Sequence, residues 1–127
     1  MNWVIVAVVA VFALAYIFLR RSGQVPATEA AACLRSGAPL VDVRTPAEFN
    51  ARHIPGAINI PLNQIESAAP SQLPDRTQPV LLHCQAGTRS AVAKRKLAAM
   101  GYGKAFNLGS YTRAARLVKE SEGLPKA

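Results

Sequence analysis

The sequence predicts an α/β domain built on a parallel sheet, and three observations predict it. Segments with the apolar, β-branched character of strands alternate four or five times with segments of helical period. The strand-like segments are continuously apolar, as in "VLLH" from Val80 to His83, which marks strands covered on both faces. The chain has 127 residues, 50% of them hydrophobic and 17% charged, enough for one core and unlike a disordered chain.

The first element stands apart from the rest. Trp3 to Leu19 is a run without charge or proline, closed by Arg20 and Arg21. As a helix it measures roughly 26 Å at ~1.5 Å per residue, close to the ~30 Å of a bilayer's hydrocarbon core. Ala13-Leu14-Ala15 has the small-x-small form of a signal-peptide cleavage site, but no basic residue precedes the run. The expectation is a transmembrane anchor at 1–21, a polar linker at 22–27 broken by Gly23 and Pro26, and a domain at 28–127. The arginine pair on the far side places that domain in the cytoplasm, as a single-pass protein of the inner membrane, with periplasmic exposure as the alternative. The bilayer is then a partner.

The domain reads as follows. Thr28 caps a helix over Glu29–Arg35, ended by Gly37. "PLVDV", Pro39 to Val43, is a buried strand. Thr45 caps a helix in "TPAEFNARH", with Pro46 at its first position, where the missing N–H costs nothing. "GAINIP" is a short strand, "PLNQIESAAP" a helix or turn, and "PVLLHC" a strongly apolar strand. Ser90 to Met100 has helical spacing, and Gly101 ends it. "KAFNL" is a further strand, and Tyr111 to Glu122 the last helix.

Without residues 1–21, thirteen basic and seven acidic residues remain, a surplus that favours anionic partners or serves solubility. Nucleic acid is disfavoured, because aromatic residues are not interleaved with the basic ones. Two cysteines far apart, Cys33 and Cys84, make neither a disulfide framework nor a metal motif.

Cys84 is where chemistry is expected. It leaves a predicted strand at its carboxyl end, the edge where open α/β sheets bind ligands. Gln85, Ala86, Gly87, Thr88 and Arg89 then carry the chain to a helix beginning near Ser90. Gly87 permits a sharp curl that turns N–H groups inward, so the sulfur sits in a nest at the positive end of a helix. Its pKa is expected below that of a free thiol, giving a thiolate nucleophile. Four residues separate Cys84 from Arg89, one fewer than in cysteine phosphatases, and this smaller ring suits one extra sulfur atom, a persulfide.

Three stretches, "CQAGTRS", "VDVRTPAEFNARHIPGAINIP" and the closing "GLP", resemble the single-domain rhodaneses. The resemblance implies a five-stranded parallel sheet flanked by helices. It also implies sulfane-sulfur transfer from thiosulfate or a similar anionic donor to a thiophilic acceptor, with no metal or organic cofactor. Cys84 is then the nucleophile, and Gln85, Ala86, Gly87, Thr88, Arg89 and Ser90 its cradle, Arg89 and Lys94 attracting the donor. A binding module without turnover, docking an unidentified protein at the membrane, is the alternative. Gly109-Ser110 stands where many members have Gly-Gly, and no Trp precedes the closing "GLP", so the pocket rim departs from the family's pattern.

Other polar residues read as structural. Asp42 and Arg44 are expected to form an ion pair, His53 to order a turn, and Cys33 to join the core. His83 is expected to face away from Cys84, and Lys94-Arg95-Lys96 to be a solvated face.

Overall fold

The computed structural model describes residues 2–123, with residues 20–22 described by their backbone alone. Leu124 and Pro125 of the closing motif lie outside that range. Helix α1 runs Trp3–Ser22. The transmembrane expectation is overturned, because no helix among the described residues is long and apolar enough to cross a membrane. The apolar part of α1 ends at Leu19 and is about 26 Å long, short of the ~30 Å hydrocarbon core. The inner-membrane location, the membrane partner and the topology read from Arg20 and Arg21 fall with it. The large side chains of α1, from Trp3 to Leu19, are exposed.

Helix α2 spans Ala27–Arg35 and starts two residues before the expected position. Pro26 is its N-cap and Thr28 makes no cap, because an X-Pro junction already holds the backbone extended and ends at a helix start. Strand β1 is Leu40–Asp42, helix α3 Pro46–Ala51 and strand β2 Ile58–Asn59. A 3-10 turn at Leu62–Gln64 leads into α4, Ile65–Gln72. Strand β3 is Val80–His83, α5 Thr88–Ala99, β4 Ala105–Gly109 and α6 Tyr111–Glu122.

Among the described residues the sheet is parallel and has four strands in the order β2-β1-β3-β4, where five were expected. The place of the fifth, beside β4, holds a single bridge between Gln24 and Asn107, with the Val25 N–H donating to Asn107 O at 3.0 Å. The ladder stops there because the next residue whose N–H would face β4 is Ala27, where α2 begins.

Alternation along each strand sends side chains to two cores. Val41, Leu82 and Cys84 face Ile65, Ala93 and Leu97 of α4 and α5. Leu40, Leu81 and Leu108 face Ala30, Ala114 and Leu117 of α2 and α6. The apolar strands are continuous because both faces are covered, as their composition predicted. The carboxyl ends of β1, β3 and β4 therefore open on one edge of the sheet, and the loop after β3 lies between them.

Candidate active site

Cys84 directly follows β3 and is wholly buried. Its N–H donates to Gly109 O at 3.2 Å, and Gln85 O accepts the Tyr111 N–H at 3.3 Å, so the loop is laced to the end of β4. Gly87 has φ +96°, a left-handed conformation that turns the chain within one residue. Helix α5 consequently starts at Thr88, two residues earlier than the sequence suggested, and Thr88, Arg89 and Ser90 form its first turn.

This changes how the sulfur is held. The first N–H groups of a helix have no partner within it, and Gly87 at the N-cap supplies no side chain. The sulfur of Cys84 takes that place. The Gly87 N–H donates to Sγ at 3.0 Å and the Ser90 N–H at 3.5 Å, with the Ser90 hydroxyl also 3.5 Å away. Burial pushes the thiol pKa up, but hydrogen bonds from the Ser90 hydroxyl and N–H, then from the Gly87 and Ala86 N–H groups, outweigh it and hold the pKa below the ordinary 9.0. Alkylation of Cys84 by iodoacetamide, followed by mass against pH, should therefore reach half its limiting rate below pH 9.0. A midpoint at or above that value would contradict a stabilised thiolate.

The six residues expected to cradle the sulfur are not equivalent. Gly87 and Ser90 are buried against the sulfur, whereas Gln85, Ala86 and Thr88 are exposed. Arg89 is half-buried and turned to Glu48 of α3, its Nη1 and Nη2 donating to the two carboxylate oxygens at 2.6 and 3.0 Å. That guanidinium holds the Glu48 pKa down at about 2. Glu48 also closes the capping box on Thr45. The pair thus ties α3 to the first turn of α5, and the arginine's charge is balanced by a carboxylate. Lys94 lies further along α5, half-buried.

The remaining polar residues fall where expected, or nearly so. Arg44 grips Asp42 with Nε and Nη2, the shortest contact being 2.7 Å, and both are buried. His83 lies on the opposite face of β3 from Cys84, edge-on to Tyr111, with Nε2 3.7 Å from Asp42. His53 stacks on Phe49 and its Nδ1 is 2.8 Å from Phe49 O, which ties it to the end of α3. Lys96 pairs with Glu66 at 3.0 Å, and Arg95 is exposed. Cys33 packs against the core on the α2 and α6 side, so the two cysteines are not brought together. Burial raises its pKa, and Glu29 adds to the rise. Among the described residues, no cluster of His, Cys, Asp and Glu is placed to hold a metal ion.

Two participants escaped the reading of the sequence. Asn107 is buried on β4, and its carboxamide reaches both Ser90 and Gly87. Its signal was present as one amide inside the apolar strand "AFNL". Gln24, before α2, lies over the loop, its Nε2 2.6 Å from where a Cβ on Gly109 would stand. Together with Ile17 of α1 and with Ala86, Ser110, Thr112, Arg113 and Arg116, it lines an open groove of about 560 Å³ beside the loop.

The cysteine loop, the capped α3 and the parallel sheet place this chain among known proteins. The family described as the Rhodanese-like domain matches residues 26–115. The chain belongs to that family. Thiosulfate sulfurtransferase PspE of Escherichia coli is 39% identical over 69 residues, which is 54% of this chain and 66% of PspE, just under two thirds of its length. Thiosulfate sulfurtransferase 18 of Arabidopsis thaliana is 33% identical over 98 residues, covering 68% of this chain and 72% of the plant protein. Among solved structures, the human single-domain sulfurtransferase TSTD1 superposes with a TM-score of 0.60 at 34% identity, over 77% of this chain and 96% of the human one. The rhodanese-like region therefore takes in everything from Pro26 to the middle of α6, and α1 lies outside it.

Proposed function

We propose that this rhodanese-like chain is a sulfurtransferase that carries sulfane sulfur as a persulfide on Cys84, from thiosulfate or a similar anionic donor to a thiophilic acceptor. One observation carries the reading. The sulfur of Cys84 occupies the cap of α5 and receives hydrogen bonds from the Gly87 and Ser90 N–H groups. Fixed donors of this kind stabilise a charged sulfur without reorganising during the reaction.

In the first step the Cys84 thiolate attacks the outer sulfur of thiosulfate. A bond forms between Sγ and that sulfur, the donor's own sulfur–sulfur bond breaks, and sulfite leaves with the electron pair. In the second step a thiolate or cyanide attacks the outer sulfur of the persulfide, and the bond to Sγ breaks to return the Cys84 thiolate. Electrons balance without an oxidant, a reductant or a metal. The outer sulfur is held by the same backbone cradle, Gln85 to Ser90. Arg89, already paired with Glu48, serves mainly to fix the first turn of α5, and the groove with Arg113 and Arg116 offers the anionic donor an approach.

The test is a mass measurement on the intact chain after incubation with thiosulfate. The native chain should gain one sulfur atom, cyanide should remove it with release of thiocyanate, and Cys84→Ser should show neither event. A native chain that gains no sulfur from thiosulfate or from any other sulfane donor would overturn the assignment.

A further inference from the structure

Asn107 is 2% exposed, within a strand whose neighbours Phe106 and Leu108 are apolar. Burying a carboxamide without partners costs about 1–3 kcal/mol, so its partners need to be accounted for. Oδ1 accepts from the Ser90 hydroxyl at 2.7 Å and from the Gly109 N–H at 2.8 Å, which uses both of its lone pairs. Nδ2 donates to Gly87 O at 3.3 Å. One side chain therefore holds a residue of each segment that meets at the sulfur: the turn, the first turn of α5 and the end of β4.

The Ser90 hydroxyl has a single proton and three acceptors within reach. These are Asn107 Oδ1 at 2.7 Å, Gly87 O at 3.1 Å and Cys84 Sγ at 3.5 Å. With a neutral thiol the proton goes to the nearest, the Asn107 oxygen, and Ser90 Oγ can accept from the thiol. With a thiolate the hydroxyl turns to the sulfur, and Asn107 Oδ1 keeps its bond from Gly109. No buried group is orphaned in either state.

We infer that Asn107 is a positioning residue for the sulfur centre, aiming the Ser90 hydroxyl and the Gly87 peptide at Cys84 and giving the hydroxyl a second acceptor when the sulfur is uncharged. This rests on Cys84 being the reacting group. Asn107 does not itself touch the sulfur, so it acts through Ser90 and Gly87.

The experiment compares the native chain with Asn107→Ala, Ser90→Ala and the double variant, using two readouts. One is the pH dependence of Cys84 alkylation, which needs no sulfur donor; the other is the rate of persulfide formation from thiosulfate in a single turnover. Loss of the Ser90 hydroxyl's hydrogen bond to the charged sulfur predicts that Ser90→Ala slows persulfide formation about tenfold, and Asn107→Ala, which only misaims that hydroxyl and the Gly87 peptide, should slow it by no more than that. Each also moves the alkylation midpoint to higher pH. The double variant should lose less than the two single losses combined, because part of the Asn107 effect runs through Ser90 and only the rest through Gly87. Asn107→Ser, smaller than asparagine and uncharged, replaces Asn107→Ala in both readouts if that variant fails to fold. A purely structural role would lower the melting temperature and leave the alkylation profile unchanged, and that result, or additive losses in the double variant, would overturn the inference. If the native chain forms no persulfide, the sulfurtransferase proposal fails, whereas the alkylation profiles still decide the role of Asn107.

Discussion

Replacing Asp42 by alanine should destabilise the domain by about 3–5 kcal/mol, the usual cost of stranding one partner of a buried ion pair. Asp42 is fully buried at the end of β1 and accepts the Arg44 N–H at 2.9 Å as well as the guanidinium contacts. Without the carboxylate, the buried Arg44 guanidinium would keep the hydrogen bond to Arg52 O, at 2.6 Å, and the face of Tyr111, at 4.8 Å, neither of them charged, while Glu48 acts on it only through space and is already paired with Arg89. A domain of this size has about 5–15 kcal/mol in total, so the loss is a large fraction of it. Urea unfolding should show a much lower midpoint with an unchanged slope. A loss below about 1 kcal/mol would mean that the pair is solvated like the half-exposed Arg89–Glu48 bridge, which belongs to the class worth about 0–1 kcal/mol.

The second large effect is on turnover. Gly87→Ala should lower kcat for sulfur transfer about 10²-fold, the loss typical of displacing one fixed donor at a developing charge. A Cβ at Gly87 would stand 3.3 Å from Gly109 Cα and 3.4 Å from its carbonyl carbon, both backbone atoms with little room to give. The residue also sits at φ +96°, where alanine is strained. The relief available is to move the turn, and the turn carries the N–H that donates to Sγ at 3.0 Å. Stability should fall by only about 1–3 kcal/mol. Steady-state kinetics beside a melting curve separate the two effects. A folded variant that keeps full turnover would show that the Gly87 N–H is dispensable.

These two residues also mark how far the sequence could be read. That Asp42 and Arg44 pair was legible, because two residues apart at a strand end they project to the same side. Thr45 as a cap and the run from Tyr111 to Glu122 were legible for the same reason: a cap and a helical period are written in neighbouring residues. Gly87 was legible as a turn, but not that the turn would be so tight that α5 starts at Thr88. Its length depends on how closely β4 approaches, which no local pattern records. The strand count was misread likewise. The segment before α2 makes one bridge to β4 and stops where the helix begins, so a strand place exists without a strand. The apolar run of α1 was visible, yet its sufficiency as a span was not, because the length falls a few ångströms short.

By itself, then, the sequence determined the α/β alternation, the burial of the strands on both faces, and the placing of Cys84 at a strand end before a glycine turn. All of these follow from residues within one or two turns of each other, where sterics and hydrogen-bonding options are local. Only the tertiary structure decided that Arg89 turns to Glu48, 41 residues away, and that Asn107 reaches Ser90, 17 residues away. Such partners are chosen when the sheet closes and each buried polar group takes the donor or acceptor that packing brings within about 3 Å.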